Sequence, residues 1–185
     1  MCQEFAFIRG LASLKSLDVS ESYFIDDSTM LELSEHLNNC RQLKSIDVSH
    51  TDITDLEFIP NLSITLESFT AKLPKVRDAS PLSHLVALKT LCLDHSDIGS
   101  IAFVTNLHNL ESLDISNTRV NDLSPLVSQS NILKSLYLNY TPISEHAVDV
   151  ISNLTELRVL NLSDTDSTNS IGALSTGCLR MQMVT

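Results

Sequence analysis

Apolar residues recur along the chain in triplets spaced i, i+3, i+5. They read Leu14/Leu17/Val19, Leu43/Ile46/Val48, Leu66/Phe69/Ala71, Leu88/Leu91/Leu93, Leu110/Leu113/Ile115, Leu133/Leu136/Leu138 and Leu157/Leu160/Leu162, with a degenerate eighth copy at Cys178/Met181/Met183. Successive copies start 29, 23, 22, 22, 23, 24 and 21 residues apart. The i+3 and i+5 positions lie on one side of a short strand. The pattern therefore predicts one strand per copy, near 16–20, 45–49, 68–72, 90–94, 112–116, 135–139, 159–163 and 180–184. No copy can bury its apolar side alone, so neighbours must stack in parallel at about 4.8 Å.

The remainder of each copy is also patterned. Three residues after the triplet comes Ser22, Thr51, Pro74, Ser96, Thr118, Thr141 or Thr165, then two further on another aliphatic or aromatic residue, Phe24, Ile53, Val76, Ile98, Val120 or Ile143. A hydroxyl at the turn is suited to bonding main-chain groups of adjacent copies. Pro74 has none, which makes the third copy the expected weak rung. Asp78-Ala79-Ser80-Pro81-Leu82, Asp122-Leu123-Ser124-Pro125-Leu126 and the variant Asp55-Leu56-Glu57-Phe58-Ile59 start the return halves. Proline fits only at a helix start, so these predict single helical or 3₁₀ turns. Longer helices are predicted over 27–37, behind an N-cap candidate, and over 144–151 with Ala147, Val148 and Ile151 facing inward.

This pattern resembles the leucine-rich repeat family over nearly the whole chain. The short units resemble internalin-like and phosphatase-regulator-like repeats, and the 29-residue first unit resembles the ribonuclease-inhibitor type; the mixture is similar to protozoan leucine-rich-repeat proteins. The resemblance implies an α/β solenoid: a curved array with a parallel β-sheet on the concave face, and short helices, 3₁₀ turns and loops on the convex face. Residues 1–185 would form a single domain of about eight repeats. Ala6–Leu14 aligns without gaps on Ala102–Leu110, so both ends fall inside a repeat, and the chain is expected to be a segment of a longer protein. The implied function is a non-catalytic protein-protein interaction scaffold that binds through the concave strand face. Two alternatives are a structural or assembly subunit that spaces flanking domains, and a cell-surface adhesion or receptor-binding domain.

Composition sharpens the partner. Twelve Lys and Arg against 23 Asp and Glu give a net charge of −11, which argues against nucleic acid, whose readers need clustered cations. A protein partner with a basic surface fits better. No stretch approaches the ~18 apolar residues of a membrane span, and no cofactor motif is present. On the outward strand positions the central column carries Asp18, Asp47, Thr70, Cys92, Asp114, Tyr137, Asn161 and Gln182. Two residues on stand Ser20, Ser49, Lys72, Asp94, Ser116, Asn139 and Ser163, followed by Glu21, His50, Leu73, His95, Asn117, Tyr140 and Asp164. The candidate partner-binding residues are Asp18, Asp47, Cys92, Asp94, His95, Asp114, Tyr137, Tyr140 and Asn161. Asp disfavours strands and Asp18 beside Asp47 sets like charges on neighbouring rungs, while Tyr is a frequent interface anchor.

Another column, Lys15, Lys44, Glu67, Lys89, Glu111, Lys134 and Arg158, alternates in sign from Lys44 to Lys134 and reads as structural. Cys92, Asp94, His95 and Asp114 lie on neighbouring rungs without the spacing of a metal or nucleophile motif, so neither a catalytic nor a metal site is assigned. The four cysteines do not form the clustered pairs of disulfide-capped extracellular repeats, which favours a reducing compartment. A surface or secreted location would follow from a signal outside this segment.

Overall fold

The computed structural model describes residues 6–62, 65–144, 146–165 and 182–183. Eight strands form one parallel sheet in chain order: β1 Ser16–Asp18, β2 Ser45–Asp47, β3 Ser68–Thr70, β4 Thr90–Cys92, β5 Ser112–Asp114, β6 Ser135–Tyr137, β7 Val159–Asn161 and β8 Gln182–Met183. The register pairs Leu17 with Ile46, then Phe69, Leu91, Leu113, Leu136 and Leu160, one apolar residue per rung. β8 departs from the expected alignment, pairing Met183 with Leu160 where Met181 was expected. A slip of two residues preserves the two-residue period of a strand, so the apolar pattern alone does not separate the two registers. Cys178 and Met181 lie outside the described residues.

Strands β1 to β7 are three residues long and β8 two, not the five expected. Their rung-to-rung hydrogen bonding nevertheless runs on. Val19 N–H donates to Asp47 C=O and Glu21 N–H to Ser49 C=O; Val48 and His50, and Leu93 and His95, repeat the pattern with the next rung. At the end of this stretch the chain enters the left-handed region in six of the seven described rungs, at Glu21, His50, His95, Asn117, Tyr140 and Asp164, with φ of 53–61°. None of these residues is glycine. A residue with a Cβ costs about 1 kcal/mol or more there, and the neighbouring bonds must offset it.

Those bonds come from the central column. Asp18, Asp47, Asp114 and Asn161 each accept, through Oδ1, the N–H of the serine two residues on, at 2.9–3.0 Å. This is the Asx-turn chemistry of short polar side chains. The strand-disfavouring Asp thus has a structural task at the strand end, an explanation that the sequence reading did not supply.

Where it exists, the hydroxyl column bonds main-chain groups, but mostly within its own rung and not to the adjacent copies expected. Thr51, Thr118 and Thr165 donate to carbonyls of their own rung, whereas Thr141 reaches back to Ile115 C=O of the preceding rung at 2.9 Å. The Pro74 rung is repaired from outside: Ser96 Oγ donates to Ala71 C=O at 3.0 Å and accepts from Leu73 N–H at 3.4 Å. The residue before a proline is driven toward extended backbone. Leu73 therefore leaves the left-handed row, and it is fully buried.

Behind the sheet the return segments form 3₁₀ turns at Ala6–Gly10, Ile59–Asn61, Ser80–His84, Ala102–Asn106 and Ser124–Gln129. Asp78 and Asp122 hold the N–H and hydroxyl of Ser80 and Ser124, at 2.8–3.0 Å, immediately before Pro81 and Pro125. Helix α1, Asp27–Leu37, is capped by Asp26, which accepts Thr29 N–H at 2.8 Å. Helix α2 spans Ala147–Ser152. Between sheet and returns runs one continuous core from Ile8 to Leu160, joined by partly buried Leu14, Leu17 and Val19 on the first rung. The first unit departs from the others at the aliphatic-or-aromatic position: Phe24 is 73% exposed. The unit has an extra residue in this loop, so Ile25, 1% exposed, takes the inward place that Ile53 and Ile98 fill elsewhere.

Candidate interaction face

The strand face splits into two polar clusters. On rungs β3 to β5, Asp94 is the hub. Its carboxylate takes Lys72 Nζ at 3.1 Å, His95 Nδ1 at 2.7 Å and Asn117 Nδ2 at 3.0 Å, with its side chain 13% exposed. Burial opposes its ionisation, but the hydrogen bonds from Asn117, Lys72 and His95 outweigh that and hold its carboxyl below the usual carboxylate range. The bond to Asp94 likewise raises the Lys72 ammonium, against desolvation. Lys72 and Asn117 were not among the expected site residues. The signal was available in the register, which sets 72, 94 and 117 on three consecutive rungs.

Cys92 sits one pleat away. Its thiol donates to Asp114 Oδ2 at 3.8 Å, and burial pushes it up to about 11. At neutral pH it is a protonated, weakly nucleophilic group. Among the described residues no set of three or more His, Cys, Asp and Glu side chains is grouped to hold a metal ion.

The second cluster follows the central column. Asp18 and Asp47 are directly paired across β1 and β2, and Asp114 is paired with Tyr137 across β5 and β6. Hydrogen bonds from Ser20 hold the fully solvated Asp18 carboxyl below its usual range. None of Asp18, Asp47 or Asp114 has a cation within 4.0 Å among the described residues, whereas Asp94 does. Tyr140 is 59% exposed from its left-handed position, and a hydrogen bond with the Asp164 carboxylate holds its hydroxyl above the usual range. Asn161 uses Oδ1 internally, on Ser163 N–H and Oγ.

Two expectations change. Ser49 and Ser116, read as outward-facing, are 4% and 3% exposed, because the chain is already turning toward the left-handed row. The alternating charged column is structural as expected, but it is segmented. Glu67 bridges Lys44 at 2.8 Å and Lys89 at 2.7 Å, and Glu111 pairs with Lys134 at 2.7 Å, with Lys89 committed to Glu67.

A parallel sheet whose rungs start 22–29 residues apart, with a Leu-x-x-Leu-x-Leu-type triplet on β1 to β7, is diagnostic of one architecture. The model of Zer-1-like leucine-rich repeats matches residues 101–183. The chain has the fold of a leucine-rich-repeat array. Solved structures share its fold. An internalin C2 of Listeria monocytogenes superposes with a TM-score of 0.68 at 22% identity, over 97% of this chain and 83% of that one. An internalin (inlF) of the same organism superposes with a TM-score of 0.60 at 23% identity, over 95% of this chain. The array spans 62% of that internalin's length. No helix among the described residues of the leucine-rich-repeat array is long and apolar enough to cross a membrane. An open groove of about 530 Å³, lined by Glu57, Pro60, Ser80, Pro81, Ser83 and His84, lies on the return side of the array and not on the strand face.

Proposed function

We propose that this array is a non-catalytic protein-recognition module whose strand face takes a basic protein surface. The observation that carries the reading is the set Asp18, Asp47 and Asp114. Each spends one carboxylate oxygen on its own turn and has no cation within 4.0 Å among the described residues, Lys72 acting on Asp114 only from farther off. Two like charges on adjacent rungs repel at close range, and a Lys or Arg from a partner relieves this. Tyr137 and Tyr140 extend the same face with rigid amphipathic area suited to anchoring. Cys92, Asp94, His95 and Asn161 contribute as a polar border, since their donors and acceptors are largely committed within the array.

The clean test removes charge without removing the turn. Asn161 already performs the Asx role with a neutral amide, so Asp18→Asn, Asp47→Asn and Asp114→Asn combined should fold normally. Crosslinking of the wild-type array in the source cell, read by mass spectrometry, identifies the partner that contacts this face. The triple variant should bind that partner at least tenfold more weakly and with a shallower salt dependence. Unchanged affinity with an intact fold would refute the strand-face reading and favour the spacer role.

A further inference from the structure

A second surface, on the loops that leave the strands, holds a pair of exposed cations on one carboxylate. Arg77 Nε donates to Asp97 Oδ2 at 2.9 Å, and Arg119 Nε forms an ion pair with Asp97 Oδ1 at 2.5 Å. One carboxylate therefore holds two guanidinium groups from the rungs on either side of it. Asp97 is 15% exposed, while the two arginine side chains are 80% and 72% exposed. Beside them Lys75 pairs with Asp52 at 3.1 Å. Two guanidinium groups against the single Asp97 carboxylate leave one positive charge in excess at this point, although Asp55, Asp78 and Asp122 stand on adjoining loop positions of a chain whose net charge is −11.

Alignment of the rungs shows where the counter-charge is missing. At the position just after the hydroxyl column the sequence reads Asp52, Lys75, Asp97, Arg119 and then Pro142. The alternation that pairs each cation with an acid ends at Arg119, where the next rung offers a proline. Two residues further along, Arg77 is followed on successive rungs by Gly99, Asn121 and Ser144, none of them acidic. Both guanidinium groups are tied through Nε. Among the described residues, no second carboxylate lies within 4.0 Å of either one.

We propose that Arg77 and Arg119 form a clamp for a phosphoryl group carried on a protein side chain. Guanidinium forks match phosphate oxygens in geometry, and a shared carboxylate that fixes both in advance lowers the ordering cost of binding. The size of the anion follows from the rest of the molecule. A polyanion such as nucleic acid would bring many charges up to an acidic body, whereas one phosphoryl group brings about −1.5 to −2 to a single point. Screening over about 8–10 Å then isolates it from the acidic strand face. A lone carboxylate has the right shape but about half the charge. The site is separate from the strand face and stands whether or not that face binds a basic partner.

The test follows the Nε–H signals of Arg77 and Arg119 by NMR in the full chain, titrated with a Gly-Gly-phosphoserine-Gly-Gly peptide, its serine and glutamate counterparts, and inorganic phosphate. The phosphoserine peptide should move both signals and saturate at millimolar concentration. The glutamate peptide should bind several-fold more weakly, and the serine peptide should move neither signal. Arg77→Gln and Arg119→Gln should each weaken binding about tenfold with an unchanged melting temperature, as expected of exposed side chains. Phosphoserine shifts that are absent, or that persist in the double variant, overturn the clamp. Inorganic phosphate binding as tightly as the peptide overturns its assignment to a protein-borne group.

Discussion

Replacing Ser96 by alanine tests how the array closes over Pro74. Ser96 is 3% exposed, and its single oxygen serves two groups of the neighbouring rung, Ala71 C=O at 3.0 Å and Leu73 N–H at 3.4 Å. Ala71 and Leu73 are themselves buried, so no bulk water replaces the lost partner. A buried group left unpaired costs about 1–3 kcal/mol, and the longer contact to Leu73 places the sum near 2 kcal/mol. For a chain of this size that corresponds to a melting temperature lowered by roughly 4–8 °C. Ser96→Thr should be close to neutral, since threonine fills the same place in neighbouring rungs. Ser83→Ala, an exposed hydroxyl bonded to Ser80 C=O, should stay within about 0.5 kcal/mol. Urea unfolding followed by circular dichroism measures the stabilities, and hydrogen exchange at the Leu73 amide gives a local readout that should accelerate only in the alanine variant. Wild-type stability and unchanged Leu73 protection in Ser96→Ala would show that the Pro74 rung does not depend on its neighbour.

Three further outcomes are expected. Hydrogen bonds from Lys44 and then Lys89 lower the Glu67 carboxyl to about 2, from an ordinary 4.5. A depressed folded-state value stabilises above about pH 4.5 and is lost as pH falls toward 2, so the stability gap between wild type and Glu67→Gln should close across that interval in acid titrations. Cys92, raised to about 11, should alkylate far more slowly than the unfolded chain at pH 7.5 by peptide mass mapping; equal rates would contradict its burial. At exposed His50, with φ of 57°, His50→Gly should gain up to about 1 kcal/mol and His50→Val should lose about as much in chemical denaturation, and a valine variant as stable as the glycine one would refute the cost assigned to that turn.

The rung register was legible because inward Leu positions must repeat in every copy, and Leu17, Ile46, Phe69 and Leu91 pair as their spacing demands. The left-handed row was not, because its residues are Glu, His, Asn, Tyr and Asp rather than glycine, and on four of the six rungs the side chain three residues upstream maintains the turn. Asp47 and Asp114 were only half legible: their strand-disfavouring chemistry suggested a ligand, and the turn that one oxygen of each closes emerges only in the structure. The extra residue beside Phe24 was hidden because Phe24 and Ile25 are both apolar, and only packing chooses between them. The Asp94 cluster escaped notice because Lys72 and Asn117 meet it from different rungs, a proximity that emerges once register is known.

The continuous rung-to-rung hydrogen bonding also sets the mechanical character of the molecule. Its bonds lie along the long axis of the rod, so tension applied at the two ends loads them one rung at a time and peels the structure instead of shearing it. Each 22-residue unit released would lengthen the chain by about 70–75 Å, less the few ångströms it occupied in the stack. Under load such a rod is a stepwise extensible tether, and the rung closed by Ser96 in place of its own hydroxyl is where the steps differ from one another.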